Sequence, residues 1–308
     1  MTTLLIIDGH ALIHRAYHAL PDFLSKDKTP TNALYGFASV LHRVIKETSA
    51  THVVVCFDTA AATFRDKLFK EYRTQRPETD KELISQFPLV KDFLDAAGIQ
   101  RLEKDGFEAD DVIAAVTHQA ETKELRSVIL TGDKDIFQLI NDKVFILTPQ
   151  LGYVKNGKLY DRDAVIDKFG VPPEQVADYK ALVGDPSDNY KGVAGIGPKA
   201  AVELIKQFGS VESIYKNLDK ITNEKVRQKL LAGEADAEMA KTLAVLETNV
   251  GLDFDIDTMV FNHYNEALKA FFDKYSFKSL KARFFKEELP KPITIKKEAK
   301  NKEQLGLF

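Results

Sequence analysis

Acidic side chains follow the buried strands that this sequence predicts, and one stretch places two of them together. In SVILTGDKDIFQLI (127–140), an apolar run ends at Thr131 and Gly132 and is followed by Asp133 and Asp135. In an extended backbone, positions i and i+2 point to the same side, so both carboxylates can face one site. Carboxylate oxygens are ligands that Mg²⁺ prefers. The stretch therefore predicts a metal site at the exit of a strand.

Seven further acids lie at predicted strand ends, at a helix start and in a Gly/Pro-containing loop. They are Asp8, Asp58, Glu108, Asp110, Asp111, Asp185 and Asp188. Taken one at a time, such residues are typical helix N-caps or turn formers. Nine converging carboxylates would raise one another's pKa values and would need counter-charge. Apart from Lys134, no lysine is interleaved with them in the sequence. Two divalent ions about 4 Å apart suit in-line displacement at phosphorus, so the set predicts phosphodiester hydrolysis.

A parallel α/β sheet would bring these acids to one edge. Continuous apolar runs predict strands buried on both faces, at 3–8, 51–58, 127–133 and 143–148. Helix-like segments alternate with them, at 31–48, 79–96 and 109–121. Ligands of such sheets bind beyond the carboxyl ends of the strands. The acids follow those ends, so we expect them to converge.

The pattern changes after residue 148. YVKNGKLY (153–160) predicts a small hairpin with an Asn-Gly turn. From about residue 161 the chain is predicted to be helical, in short pieces broken by Gly and Pro, with a domain boundary near residue 170. After Pro290 the lysine-rich sequence predicts a flexible tail.

Composition and charge exclude several classes of protein. The chain is 44% hydrophobic and 29% charged, and it contains neither a membrane-length apolar run nor a secretory signal. The single cysteine, Cys56, fits a reduced, cytoplasmic setting. No P-loop, GxGxxG or Ser/His/Asp signature is evident. Treating the nine acids as metal-bound raises the formal net charge from −3 to +6, which suits a phosphodiester substrate.

Two basic segments suit contact with nucleic acid. The first, residues 63–86, interleaves cations with aromatic side chains: Phe64, Arg65, Lys67, Phe69, Lys70, Tyr72, Arg73 and Arg76. Alone it could equally be a solvated amphipathic helix, but it follows Asp58. The second contains Gly195, Ile196, Gly197, Pro198 and Lys199. It predicts a helix-hairpin-helix whose backbone N–H groups hold a DNA phosphate, with an ordinary Gly-capped turn as the alternative.

Together these motifs resemble the 5′-nuclease family, most closely the 5′-3′ exonuclease domain of bacterial DNA polymerase I. The matching stretches are LLIIDGHALIHRAYHAL, FDTAAATFRDKLFKEYRTQRP, FEADDVIA, TGDKDIFQLI and ALVGDPSDNYKGVAGIGPKAA. The resemblance implies a PIN-like, mostly parallel sheet with flanking helices over residues 1–170, with a helical arch at about 63–95. It implies an all-helical helix-hairpin-helix subdomain over 171–289, followed by the tail, 290–308.

The resemblance also implies roles for individual residues. Asp8, Asp58, Glu108 and Asp110 match a first Mg²⁺ group with Asp111 adjacent, and Asp133, Asp135, Asp185 and Asp188 match a second, with Mn²⁺ as a substitute metal. Tyr72, Arg73 and Arg76 match arch residues near the scissile phosphate, although relatives usually carry lysine in place of Arg73. Arg15 resembles a phosphate contact and Tyr17 a base contact, and Arg65 and Lys134 are further expected DNA contacts. The hairpin is expected to hold K⁺ near Val193 and Ile196.

One cluster near the N-terminus admits a different reading. His10, His14 and His18 recur every four residues and would form a stripe on a helix, so a zinc site is an alternative. The family pattern accounts for the same segment through Arg15 and Tyr17 instead.

The implied activity is cleavage of flaps, nicks and gaps near DNA 5′ ends, and of RNA in primers, by a monomer. The last residues, Gln304, Leu305, Leu307 and Phe308, resemble a peptide that docks into the bacterial sliding clamp. Whether the chain stands alone or is excised from a polymerase is left open. A non-catalytic DNA-junction binder is the alternative function, and the complete carboxylate set favours the enzyme. The long arch and the hairpin disfavour an RNA-cleaving PIN-type toxin.

Overall fold

A six-stranded sheet forms the centre of the molecule. The computed structural model describes residues 2–149 and 158–286. The strands are β1 (Thr3–Asp8), β2 (His52–Phe57), β3 (Gln100–Glu103), β4 (Arg126–Leu130), β5 (Val144–Thr148) and β6 (Lys158–Tyr160). Their order is β3-β2-β1-β4-β5-β6, and all are parallel except β6. The four predicted strands are therefore confirmed as a parallel set, although β4 ends before Thr131.

Helices cover both faces of this sheet. They are α1 (Gly9–Ala19), α2 (Asn32–Thr48), α3 (Phe64–Leu68), α4 (Lys81–Ala97) and α5 (Ala109–Thr122). Alternate residues of β1 enter two different cores. Leu5 belongs to the first core, with Phe37 of α2 and Phe93 of α4. Ile6 belongs to the second core, with Val112 of α5. Burial on both faces explains why these strands are apolar throughout.

A third core lies in the C-terminal half. Its elements are α6 (Arg162–Phe169), α7 (Val176–Val183), β7 (Gly184–Asp185), β8 (Tyr190–Lys191), α8 (Pro198–Phe208), α9 (Val211–Lys216), α10 (Glu224–Ala232) and α11 (Glu234–Ala244). Leu182, Ile196 and Leu204 pack together in this core. The short antiparallel ribbon β7–β8 interrupts what was predicted to be an all-helical region.

The last two helices return to the first core. In α12 (Glu266–Lys274) and α13 (Lys278–Lys286), Phe272 and Phe284 join the cluster that contains Leu5 and Phe93. The residues predicted as one subdomain, 171–289, therefore pack in two places, because α12 and α13 belong to the first core, in the N-terminal half.

The segment predicted as an arch, 63–95, divides into two parts in the structure. Helix α4 buries Leu83, Val90 and Phe93 in the first core, so its apolar stripe makes it a core helix. What overlies the carboxyl edge of the sheet is residues 63–76, which we call the overlying segment. It consists of α3 and a series of turns.

Some predictions fall outside the described residues. These are the Asn-Gly turn within 153–160, the tail over 290–308 and the clamp-type peptide at 304–308. Within the described part of the chain, no helix is long and apolar enough to cross a membrane.

Candidate active site

An acidic cleft of about 440 Å³ opens at the carboxyl edge of the sheet. It lies where the strand order reverses between β1 and β4, the position at which open α/β sheets bind ligands. Five predicted acids line it: Asp8, Asp58, Glu108, Asp110 and Asp133. The convergence predicted from the strand ends is therefore what the structure contains.

Asp8 ends β1 and begins α1. One carboxylate oxygen accepts the Ala11 N–H at 2.9 Å, and the other accepts the Thr131 hydroxyl at 2.7 Å. Burial raises the pKa of Asp8 to about 7, and the charges of Asp58 and Asp133 add to the shift. Asp8 is therefore the N-cap of α1 and also lines the cleft, since the cap fixes its carboxylate there.

The start of α5 brings two more acids into the cleft. Asp58 follows β2 and accepts the Ala109 N–H at 2.7 Å, which ties the end of that strand to the helix. Glu108 and Asp110 flank Ala109 and are both buried. Burial raises the pKa of Asp110 well above its usual range, and the neighbouring charges of Asp133 and Asp8 raise it further.

Asp133 and Asp135 do not face one site, which corrects the expectation for the opening stretch. Lys134 has right-handed helical dihedral angles and leads into a 3₁₀ helix that begins at Asp135. The alternation of an extended strand therefore does not apply there. Asp133 lines the cleft, and Asp135 turns toward α7, where its carboxylate pairs with Lys180.

Asp135, Asp185 and Asp188 form a second group, with one oxygen from each within 4.8 Å of the others. Lys180 is 6% exposed and pairs with both Asp135 and Asp185, the latter at 2.5 Å. Burial acts to raise the pKa of Asp185, but the Lys180 ammonium and the hydrogen bonds from Ser187 together outweigh it, so the pKa is lowered. Sequence reasoning missed Lys180, since a lone helical lysine is usually solvated.

The predicted catalytic residues of the overlying segment lie on these acids. Arg73 forms ion pairs with both Glu108 and Asp188, and thus bridges the two groups; its Nε lies 2.9 Å from Asp188. Arg76 reaches Asp188 at 2.6 Å. The Tyr72 hydroxyl lies 3.1 Å from Glu108 and 3.2 Å from Asp188. Arg73 and Arg76 thus line the cleft while they neutralise carboxylates of both groups.

Asp111, predicted as a metal ligand, and Arg65, predicted as a DNA contact, form a buried ion pair with each other. Asp111 is fully buried, and both its oxygens accept from the Arg65 guanidinium, at 2.7 and 2.9 Å. Arg65 also donates to the carbonyls of Leu243 and Val245 at 2.9 Å each. This network ties α3 to α5 and to the end of α11, and it leaves Arg65 only 1% exposed.

The two acid groups differ in charge balance. Among the described residues, no lysine or arginine forms an ion pair with Asp8, Asp110 or Asp133. Around Asp188, in contrast, burial acts to raise the pKa but Arg73 and Arg76 lower it. Crowded buried carboxylates without counter-charge are an arrangement that a divalent cation stabilises, and these hard oxygen donors fit Mg²⁺.

The predicted DNA contacts lie on the surface. Gly195 (φ +79°) and Gly197 are exposed in the turn between α7 and α8, and Gly197 is the N-cap that precedes Pro198. Lys199 is exposed in the first turn of α8. Lys229, which sequence reasoning missed, donates to the Gly195 carbonyl at 2.8 Å and so braces the hairpin.

The remaining predicted contacts lie near the carboxyl edge of the sheet. Arg15 and Lys134 are exposed, and Tyr17 is half-buried. The His10 ring accepts the Asp58 N–H at 3.1 Å. Within the described residues, the group able to hold a metal is formed by acids and includes no histidine, so the zinc alternative gains no support.

Two family models together match most of the chain. The N-terminal resolvase-like domain of 5′-3′ exonucleases matches residues 3–170, and the C-terminal SAM fold of 5′-3′ exonucleases matches residues 171–267. The chain belongs to the 5′-3′ exonuclease family. Among curated relatives, a 5′-3′ exonuclease of Aquifex aeolicus is 39% identical over 82% of this chain and 84% of its own length.

Other relatives in the 5′-3′ exonuclease family are longer proteins. DNA polymerase I of Thermus thermophilus and of Bacillus subtilis are each 38% identical, over 94% and 91% of this chain respectively. The chain spans only about a third of these relatives, 34% and 32% of their lengths.

Solved structures agree with membership of the 5′-3′ exonuclease family. T5 5′-exonuclease with bound divalent metal ions (zinc) is 26% identical, with a TM-score of 0.64 over 89% of this chain and 98% of that one. The catalytic core of Rad2 in complex with a DNA substrate has a TM-score of 0.57 at 18% identity, covers 89% of this chain and 87% of its own, and supports the fold alone.

Replacement of Lys180 by methionine is expected to destabilise the metal-free protein by about 3 kcal/mol, because Asp135 and Asp185 lose the cation between them. Saturating Mg²⁺ should recover most of this loss, since binding to the folded state stabilises it. Thermal melting with and without Mg²⁺ measures both effects. Lys241→Met is the control, because Lys241 pairs with buried Asp178 at 2.6 Å. Equal Mg²⁺ recovery in both variants would contradict the assignment.

Proposed function

We propose that this chain is a metal-dependent, structure-specific 5′-3′ exonuclease and flap endonuclease that hydrolyses phosphodiester bonds near DNA 5′ ends. It would act in primer removal, replication and repair. The observation that carries the proposal is the cleft at the strand switch point. Among the described residues, Asp8, Asp110 and Asp133 have no lysine or arginine ion-pair partner there, and Arg73 and Arg76 line the same cleft. Membership of the 5′-3′ exonuclease family supports the direction of cleavage.

Two groups of carboxylates would hold the Mg²⁺ ions, with Mn²⁺ as a substitute. The first consists of Asp8, Asp58, Glu108 and Asp110, and the second of Asp135, Asp185 and Asp188. Asp133 would add a ligand from the cleft between them. Bound Mg²⁺ would lower the pKa of the attacking water and stabilise the leaving oxygen. Asp111 is left out of both groups, because Arg65 occupies its oxygens.

The overlying segment would supply the contacts to the phosphate. With Glu108 and Asp188 engaged as metal ligands, Arg73 and Arg76 would be released from these ion pairs and would be able to contact the scissile phosphate. The forked guanidinium suits two oxygens of one phosphate. Tyr72, which bridges the same two acids, would move with them.

The hairpin would hold the duplex away from the cleft, through Gly195, Gly197 and Lys199, with K⁺ at its carbonyls. Arg15, Tyr17 and Lys134 would add contacts beside the cleft. We also propose that the protein is a cytoplasmic monomer, that RNA-primed DNA is a substrate, and that the peptide at 304–308 binds the sliding clamp.

Lys199→Gln is expected to weaken DNA binding at every sequence alike and to reduce the slope of log affinity against log salt by about 1, as the loss of one phosphate contact does. Fluorescence anisotropy at several salt concentrations measures the slope. Lys143→Gln is the control, because exposed Lys143 precedes β5 and lies at the opposite edge of the sheet. An unchanged slope for Lys199→Gln would remove that residue from the interface.

Cleavage of a 5′-labelled double-flap DNA in Mg²⁺, beside a 3′-flap substrate, tests the function. We expect the 5′ flap alone to be cut and chelation of the metal to stop the reaction. Tight binding without cleavage in Mg²⁺ or Mn²⁺ would overturn the enzyme assignment in favour of a DNA-junction binder.

A further inference from the structure

Tyr190, on β8, is a buried tyrosine that lacks a partner for its hydroxyl. It is 4% exposed, and among the residues that the structure describes its oxygen forms no hydrogen bond. Buried hydroxyls are satisfied in the large majority of folded proteins, and an exception requires an explanation. Tyr72, in the same cluster of side chains, differs in that its hydroxyl contacts two carboxylates.

The position of Tyr190 points to the second acid group. Tyr190 pairs directly with Asp185 across the β7–β8 ribbon. Directly opposed residues of an antiparallel pair lie on the same face, with Cβ atoms about 5 Å apart. The pKa of Tyr190 is raised, first by burial and then by the charges of Asp185 and Asp188. The unpaired oxygen therefore lies in the field of the carboxylates that would hold the second cation.

We propose that the phenolic oxygen of Tyr190 accepts a hydrogen bond from a water of the hydration shell of a divalent cation held by Asp135, Asp185 and Asp188. The inference rests on the proposed metal-dependent function. Mg²⁺ keeps several of its waters when proteins bind it, and those waters need acceptors. The three aspartates already accept hydrogen bonds from Lys180, Arg73, Arg76 and Ser187. The Tyr190 oxygen is therefore an acceptor beside them that is still available to such a water.

Tyr190 is thus a positioning residue, since it would orient the hydration shell and touch neither substrate nor the metal. Partners of this kind change metal affinity by about 10- to 100-fold when they are removed. In the metal-free protein the same hydroxyl would destabilise the folded state, because it remains buried without a hydrogen-bond partner. The proposal therefore predicts opposite signs for the two states.

Tyr190→Phe tests the proposal. Calorimetric titration with Mn²⁺ after chelator treatment should show the weaker of the two cation affinities reduced at least about tenfold, with the tighter one unchanged. The melting temperature of the metal-free variant should equal or exceed that of the parent protein. Tyr264→Phe is the control, since the Tyr264 hydroxyl bonds the His42 ring at 3.2 Å and should lose stability without altering the titration.

Each other outcome overturns the proposal in a recognisable way. If both affinities are unchanged in Tyr190→Phe, the hydroxyl has no part in the cation site. If the metal-free variant melts below the parent protein, the hydroxyl has a partner within the protein. If the parent protein neither binds Mn²⁺ nor cuts the 5′ flap, the proposed function fails with it; two bound cations and normal cleavage would confine the failure to Tyr190.

Discussion

Asp133→Ala is expected to abolish cleavage of the 5′ flap, with a loss of at least about a thousandfold, while DNA binding stays within a few-fold of the parent protein. The carboxylate lies in the cleft between the two acid groups, so its removal takes a ligand from where charge must be stabilised. The hairpin that would bind the duplex is untouched. Cleavage rates in Mg²⁺ and anisotropy in Ca²⁺ separate the two effects.

The same substitution should leave the metal-free protein at least as stable as before. Asp133 repels Asp110, whose pKa is raised by burial and then by that neighbouring charge, so its loss relieves repulsion. Asp142→Ala is the control, because exposed Asp142 precedes β5 at the opposite edge of the sheet. Retained activity of Asp133→Ala in Mg²⁺ would refute the assigned role.

Arg65→Met is expected to lower the free energy of unfolding by about 3–5 kcal/mol, because it leaves the Asp111 carboxylate buried without its cation. The carbonyls of Leu243 and Val245 lose a donor at the same time. Thermal or denaturant unfolding measures the loss, which corresponds to roughly 10 °C in melting temperature. Cleavage should fall too, since the network anchors the overlying segment beside Glu108.

The structure offers a matched control for this buried pair. Arg162 bonds Glu174 with the same two-pronged geometry, at 2.7 Å for each bond, but the two side chains are 44% and 58% exposed. Arg162→Met should therefore cost less than about 1 kcal/mol. If Arg65→Met proves equally mild, the buried pair does not anchor the segment.

The strands that position the site were predictable because they are buried on both faces, which leaves a continuous apolar run in the sequence. Strand β3, with the sequence QRLE, was missed because it lies at the sheet edge and each of its residues is only half-buried. Helix α4 was predicted as a helix but assigned to the arch. Its apolar spacing identifies a buried face and does not identify the core that buries it.

Within the site, the acids were predictable because their positions follow from strand ends. The partners of the cations were not, because the sequence does not indicate which acid a given lysine or arginine will contact. Arg65 lies among basic residues that suit DNA contact, yet it is buried on Asp111. Lys180 follows no motif, yet it neutralises two aspartates. Pairing of this kind depends on contacts between distant segments, which only the fold specifies.

The return of α12 and α13 to the first core has a consequence for synthesis. Phe272 and Phe284 complete the cluster that Leu5 and Phe93 begin, although about 190 residues separate Phe93 from Phe284 along the chain. A ribosome adding about 5–20 residues per second needs on the order of ten seconds or more to cover that distance. The hairpin half has its own core and can fold during the wait. Until α12 and α13 emerge, the apolar side chains of α2 and α4 that they cover, Phe93 among them, stay exposed.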